Sequence, residues 1–180
     1  MRNIIYLDFD GVLNPWLANN PQKHWADYRK QQVNVQLAGD NFPTQDVKVW
    51  YSLELGKALR DLMDKGIEIV WASTWCANNQ ANKVLAPLFN LPDLRTLPFN
   101  PWGDREFGEC GKLPVVAHDA EQEPTKFIWI DDDLGRIDYA FIDRCLRANP
   151  DIPMAHGIKP LPQVGLTKAD IEYISTFFGV

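Results

Sequence analysis

The apolar positions of the chain alternate between two periods. Asn3–Leu7 is a short, nearly continuous apolar run, cut off by Asp8, Asp10 and Gly11, and its length predicts a buried strand. Ile67–Ala72 and Lys126–Ile130 predict two more strands, the second ending in Asp131-Asp132-Asp133. Leu94–Phe99 predicts a strand between these two, and Ile152–Ala155 an edge strand. The intervening segments carry helical spacing. Ser52 stands where it would N-cap a helix running to about Lys65, with Leu55, Leu59, Leu62 and Met63 as its apolar stripe and Gly66 at the C′ position. Cys76–Phe89, Lys112–Asp119 and Asp138–Ala148 predict further helices, the last stopped by Asn149-Pro150. Thr167-Lys168-Ala169-Asp170 has capping-box spacing ahead of a helix that ends at Phe178.

Strands alternating with helices predict an α/β fold, a Rossmann-like parallel sheet covered on both faces in three layers. Ligands in such sheets bind beyond the carboxyl ends of the strands, where the strand order reverses. One stretch departs from the pattern. Asn14–Trp50 lacks helical periodicity over most of its length, while Val33, Val35 and Leu37 alternate with polar residues, as do Val47 and Val49. Gly39-Asp40-Asn41 between them is a turn signal, so a β-hairpin flap or minimal cap is expected. With no repeat, low-complexity tract or linker, residues 1–180 are expected to form one domain with the insertion at 14–50.

Hydrophobic residues make up 46% and charged residues 23% of the chain, a balance that fits a packed globular core and not disorder. The net charge of -6 comes without a Lys/Arg-rich block, which argues against tight polynucleotide binding. An anionic substrate would have to be met by a metal ion and a few placed cations. Cys76, Cys110 and Cys145 are odd in number and widely spaced, unlike a disulfide framework or a structural zinc site. The first apolar run is far too short to span a bilayer, and acidic residues follow it at once, so no membrane segment or signal core is expected there. A cytoplasmic protein with reduced thiols is the expectation. Oligomeric state has no signature in the sequence.

Four features carry candidate chemistry. Asp8-Phe9-Asp10-Gly11-Val12 sets two carboxylates at i and i+2 past a strand, with Gly11 permitting a sharp turn. Acids this close suit metal binding, or a division of labour between nucleophile and proton donor; the plain alternative is a solvated turn. Ser73 and Thr74 follow the second strand, where a hydroxyl can donate to a phosphoryl oxygen or cap the next helix. Lys112, after Gly111, would put an ammonium beside a bound anion, or is a surface lysine. Asp131-Asp132-Asp133 crowds three carboxylates, which is tolerated in open solvent or around a hard oxygen-ligated cation, Mg²⁺ before Zn²⁺.

In this order, Asp8-x-Asp10-Gly11-Val12, Ser73, Lys112 and Asp131-Asp132 resemble the four motifs of the haloacid dehalogenase-like superfamily over roughly residues 3–133. The resemblance implies phosphatase activity, with Asp8 as nucleophile and Asp10 as general acid/base. It implies that Ser73 holds the transferring phosphoryl group, Lys112 balances its charge, and Asp131 and Asp132 hold Mg²⁺ with Asp8 and the Asp10 carbonyl. Thr74 is the alternative second-motif hydroxyl, and Asp133 the alternative ligand. The chain also looks like the capless phosphatase domains of RNA-repair proteins. A small phosphorylated substrate is expected, with a nucleic-acid end as the less favoured partner.

Trp71 and Trp129 are expected in the core, and Trp16 and Trp25 are expected to pack the flap onto the body, stacking on a base or sugar being the alternative. His24, His118 and His156 lack metal-ligand spacing. A receiver domain uses similar groups, but places its phosphorylated aspartate on a middle strand. A binding module that has lost turnover, and phosphoryl transfer to an alcohol, are the remaining alternatives.

Overall fold

Strand β1 (Arg2–Leu7) lies at the centre of a five-stranded parallel sheet, between β4 (Glu68–Trp71) and β6 (Thr125–Ile130), with β5 (Arg95–Thr96) and β7 (Ala155–Ile158) at the edges. The computed structural model describes residues 1–21, 24–36, 43–98, 111–123, 125–148 and 154–180. The strand order is β5-β4-β1-β6-β7, so the chain winds outward from β1 in one direction and then the other. The switch falls between β1 and β6.

The period of two in the strands sorts the core into two layers. Ile5, Leu7, Ile69, Trp71, Ile128 and Ile130 face one cluster, shared with α1 (Leu53–Asp64), α2 (Ala86–Leu88) and α5 (Lys168–Phe178). Ile4, Tyr6, Val70, Phe127 and Trp129 face the other, shared with α3 (Leu113–Glu121) and α4 (Arg136–Ala148). Both faces are covered, giving the expected three-layer α/β arrangement, and Trp71 and Trp129 are fully buried as expected. None of the described helices is long and apolar enough to cross a membrane.

The insertion forms an antiparallel hairpin of β2 (Arg29–Val35) and β3 (Gln45–Tyr51). Val33, Val35 and Val49 turn into the core on the α1 side, which fixes the register. Leu37 and the predicted turn at 39–41 lie outside the described residues. Trp25 is buried, its indole N–H donating to the Leu166 carbonyl at 2.7 Å. Trp16 departs from expectation and is 54% exposed.

Three predicted elements differ. The segment expected as one helix over Cys76–Phe89 is a 3-10 turn (Thr74–Asn79), a π-helical turn (Ala81–Leu85) and the short α2. Asn78 and Asn79 take positive φ and break the helix, and Pro87 has no N–H to continue the α-helical ladder. Of the strand expected over Leu94–Phe99, whose last residue lies outside the described ones, only Arg95–Thr96 pairs as strand, with the Leu97 N–H reaching the Trp71 carbonyl at 2.9 Å. The edge strand expected over Ile152–Ala155 is met only at Ala155 among the described residues, Ile152 and Pro153 lying outside them; the strand runs Ala155–Ile158, its register set by pairing with Phe127–Ile130. Gly157 belongs in that strand: a Cβ there would come within 2.9 Å of Ile142 and Tyr139 of α4.

Candidate active site

Backbone register brings the first acidic cluster beside the last. Leu7 pairs with both Trp71 and Ile130, so three adjacent strands end in step. The Asp8 N–H then donates to the Ile130 carbonyl at 3.0 Å, and the Asp131 N–H to the Ile158 carbonyl at 3.1 Å. Asp8 and Asp131 are therefore the first residues past neighbouring strands, about 4.8 Å apart in the ladder direction. One carboxylate oxygen from each of Asp8, Asp131 and Asp132 lies within 4.8 Å of the others. Asp133 is exposed, its N–H donating to Asp131 Oδ1 at 3.0 Å.

Gly11 makes this convergence possible. Its φ is +72°, and a Cβ built on it would lie 2.1 Å from Asp132 Oδ2. The turn after Asp10 is thus pressed against the Asp132 carboxylate, which only glycine allows.

Lys112 arrives from across the sheet, directly before α3. It is 5% exposed, with Nζ 2.9 Å from Asp8 Oδ2 and 2.6 Å from Asp131 Oδ2. Burial alone would lower its pKa, but the two carboxylates outweigh burial and hold the ammonium charged. Asp131 is pushed up by its complete burial and by Asp8, against the pull of Lys112. Burial, then Asp8 and Asp133, push Asp132 up to about 6. Three carboxylates against one ammonium leave net negative charge in a largely buried site. The all-oxygen donor set fits a hard divalent cation and offers no soft ligand.

Asp10 turns away from this group. Its Oδ1 accepts from Asn14 Nδ2 at 2.6 Å and its Oδ2 from Trp75 Nε1 at 2.8 Å. Burial raises its pKa, and the two N–H donors oppose the rise without cancelling it. Ser73 is buried and N-caps the 3-10 turn, its Oγ accepting from the Trp75 N–H at 3.4 Å. Capping uses a lone pair and leaves the hydroxyl hydrogen free to donate, so the two roles foreseen for it are compatible. Thr74 is exposed.

The structure thus gathers Asp8, Asp131, Asp132 and Lys112 into one cluster, with Asp10 on the adjoining turn from Gly11 and Ser73 at the end of the neighbouring strand. Sequence reasoning singled out neither Asn14 nor Trp75 for the site. Trp75 lies two residues beyond Ser73, a weak hint, and nothing in the sequence marks Asn14. Of the histidines, His118 is exposed and His156 lies against the Tyr173 ring in a tilted contact, centroids 4.8 Å apart; none belongs to the acidic group.

Among solved structures, the chain matches the HAD domain of effector protein Lem4 from Legionella pneumophila, with 17% identity, 99% of this chain and 94% of that chain covered, and a TM-score of 0.54. An inactive mutant of the same domain matches equally well, at 18% identity and TM-score 0.54. At that identity the likeness speaks to fold. No curated protein matches. A family model described as the HAD domain in Swiss Army Knife RNA repair proteins matches residues 4–171 and so takes in both acidic clusters, Ser73 and Lys112. A match over nearly the whole length, on a fold and acidic cluster of this kind, shows that the chain belongs to this HAD family.

Proposed function

We propose that the protein is a Mg²⁺-dependent phosphatase that hydrolyses a phosphate monoester through an aspartyl-phosphate on Asp8. The observation that carries this reading is the cluster of Asp8, Asp131 and Asp132 within 4.8 Å, backed by the buried Lys112. Asp8, Asp131 and Asp132, with the Asp10 carbonyl, would hold Mg²⁺, which when bound neutralises charge on the phosphoryl oxygens.

The remaining work falls to the chain. Lys112 offsets the repulsion between the Asp8 carboxylate and an incoming phosphate dianion, and the Ser73 hydroxyl donates to a phosphoryl oxygen. An Asp8 oxygen attacks phosphorus, and the bond from phosphorus to the ester oxygen breaks with its electron pair leaving on that oxygen. Asp10 gives its proton to the departing oxygen. The carboxylate left behind is stabilised by the Asn14 and Trp75 donors. It then takes a proton from the water that attacks phosphorus, and the bond from phosphorus to Asp8 breaks, regenerating the enzyme.

The test is release of inorganic phosphate from p-nitrophenyl phosphate with Mg²⁺ and with chelator. Release that needs Mg²⁺ and vanishes in Asp8→Asn, with the fold intact by circular dichroism, is the expected result. An Asp8→Asn variant with near-wild-type turnover would remove the covalent route, and a wild type silent under all conditions would favour a non-catalytic binding module. Equal amounts of phosphate released and ester consumed would make water the acceptor and not an alcohol.

For the substrate, a small phosphorylated metabolite is one reading and a nucleic-acid 3′-phosphate end the other. The family description in RNA repair and the exposed Trp16, a flat surface on which a base could stack, support the second. Its limit is the net charge of -6, which disfavours a long electrostatic footprint and leaves recognition to the terminal nucleotides. Comparing 3′-phosphate oligonucleotides with phosphorylated metabolites by kcat/KM decides between them.

A further inference from the structure

We infer that Asn14 and Trp75 are positioning residues for Asp10, aiming its carboxyl at the leaving-group oxygen, and that Asn14 ties this aim to the hairpin. The inference rests on the proposed role of Asp10 and concerns the residues that hold it.

Asn14 is 1% exposed, and both ends of its amide are engaged. Its Oδ1 accepts from the backbone N–H of Trp50 on β3 at 2.9 Å. A backbone N–H only donates, so the amide orientation is fixed and Nδ2 must face Asp10. That contact, 2.6 Å to Asp10 Oδ1, is correspondingly short. The Asn14 backbone is also locked: its N–H donates to the Phe9 carbonyl at 2.9 Å, and its carbonyl accepts from Gly11 at 2.8 Å. The hairpin strand is thereby joined through one side chain to the turn bearing Asp10.

Trp75 holds the second oxygen, with Nε1 2.8 Å from Asp10 Oδ2. Its ring is buried edge-on against Phe9, with centroids 5.1 Å apart. Its backbone N–H points to Ser73 Oγ. One residue therefore spans the phosphoryl-binding hydroxyl and the proton donor. With a donor on each oxygen, the Asp10 carboxyl is restrained about its terminal torsion. Losing either donor leaves the carboxyl in place chemically and frees it to turn, and proton transfer is sensitive to such misplacement.

The effect must appear where a proton is needed. An alkyl phosphate expels a poor leaving group and requires protonation; p-nitrophenolate leaves without it. The kcat/KM of each ester reports steps through phosphoryl transfer to Asp8, so slow hydrolysis of the intermediate does not mask the difference. For Trp75→Phe, which keeps a ring against Phe9, kcat/KM for the alkyl ester should fall about 10–100-fold, within the range general-acid catalysis supplies. The aryl ester should lose no more than about 3-fold. Asn14→Leu should shift the ratio in the same direction, and Asp10→Asn should shift it furthest. A purely structural defect would lower both esters together. If Asp10→Asn shows the bias while Trp75→Phe, folded by its melting curve, keeps the wild-type ratio, positioning is wrong and the role of Asp10 stands. If Asp10→Asn itself shows no bias, the underlying acid role fails and this inference with it. Trp75→Phe decides alone should Asn14→Leu not fold.

Discussion

Gly11 shows how far one residue constrains the site. Alanine there meets the φ of +72° and a Cβ only 2.1 Å from Asp132 Oδ2. The left-handed conformation costs about 1–2 kcal/mol for a residue with a Cβ, and the side chain that must yield is Asp132. Gly11→Ala should therefore unfold at slightly lower urea, by about that amount, while losing most of its Mg²⁺ affinity in a calorimetric titration. Unchanged Mg²⁺ binding would mean that Asp132 is no ligand. Lys112 makes the complementary case. Removing its ammonium leaves Asp8 and Asp131 buried without a cation at 2.9 and 2.6 Å. Breaking a buried ion pair from one side typically costs about 3–5 kcal/mol, so Lys112→Met should lose on that order in chelator, with part restored by Mg²⁺. A variant as stable as wild type in chelator would contradict the picture of a charge-starved site.

At the scale of elements, α1 illustrates both what is legible and what is not. Ser52 does cap it, its Oγ accepting from the Leu55 N–H at 3.0 Å, as its position before the stripe predicts. The stronger anchor comes from Asp27, whose Oδ2 accepts from the N–H groups of Leu53 at 2.7 Å and Glu54 at 3.0 Å, and whose Oδ1 accepts from the Ser52 hydroxyl. That carboxylate arrives from the loop before β2, and no local pattern announces a cap so far away in sequence. Asp27→Ala should cost about 1–2 kcal/mol, the upper range for losing an N-cap, in denaturant unfolding, with kcat/KM unchanged. A large loss of activity would give Asp27 a role beyond fastening α1. The same division runs through the chain. Strands β1, β4 and β6 are readable because buried parallel strands are continuous apolar runs, and the motif residues stand at their ends. β7 is not readable in this way because Ala155-His156-Gly157-Ile158 carries no such run; pairing with β6 and the close approach of α4 at Gly157 select it. The helix expected after Ser73 breaks at Asn78 and Asn79, whose positive φ asparagine tolerates better than other residues with a Cβ, a local signal that the apolar spacing outweighs in the sequence. Trp75 leaves no local mark because its partner Asp10 lies 65 residues away, and Asn14 because the contact that orients its amide, the Trp50 N–H, comes from β3.

Across the whole molecule, the two ends of the sheet respond oppositely to pH. At the end away from the site, Asp119 of α3 accepts from Arg95 Nη1 at 2.5 Å and Nη2 at 3.0 Å and from the Tyr6 hydroxyl at 2.8 Å, with Arg2 at 3.5 Å. Burial alone would raise the Asp119 carboxyl, but Arg95, Tyr6 and Arg2 outweigh it and hold it below the usual range. A lowered folded value stabilises above the unfolded value of about 3.9, and that contribution is lost as pH falls through the lower folded value. With Arg95 37% exposed, solvent screening keeps the contribution to about 1 kcal/mol or less. At the site end, Asp10, Asp131 and Asp132 are raised, the last to about 6. Between the unfolded value and the raised one the unfolded chain binds fewer protons than the folded one, so stability falls as pH rises. In chelator, urea unfolding should therefore show a maximum on the mildly acid side, with a decline from about pH 4 to about pH 6 that Asp119→Asn does not alter. Bound Mg²⁺ prefers the ionised carboxylates and should reverse that decline. At 100 times its dissociation constant it would add about 2.7 kcal/mol, a rise in Tm on the order of 5–10 °C for a chain of this size. The rise should be present at neutral pH, shrink toward pH 4 and be much reduced in Asp131→Asn. A Tm indifferent to Mg²⁺ at neutral pH would show that the carboxylates past β1 and β6 do not form a cation site.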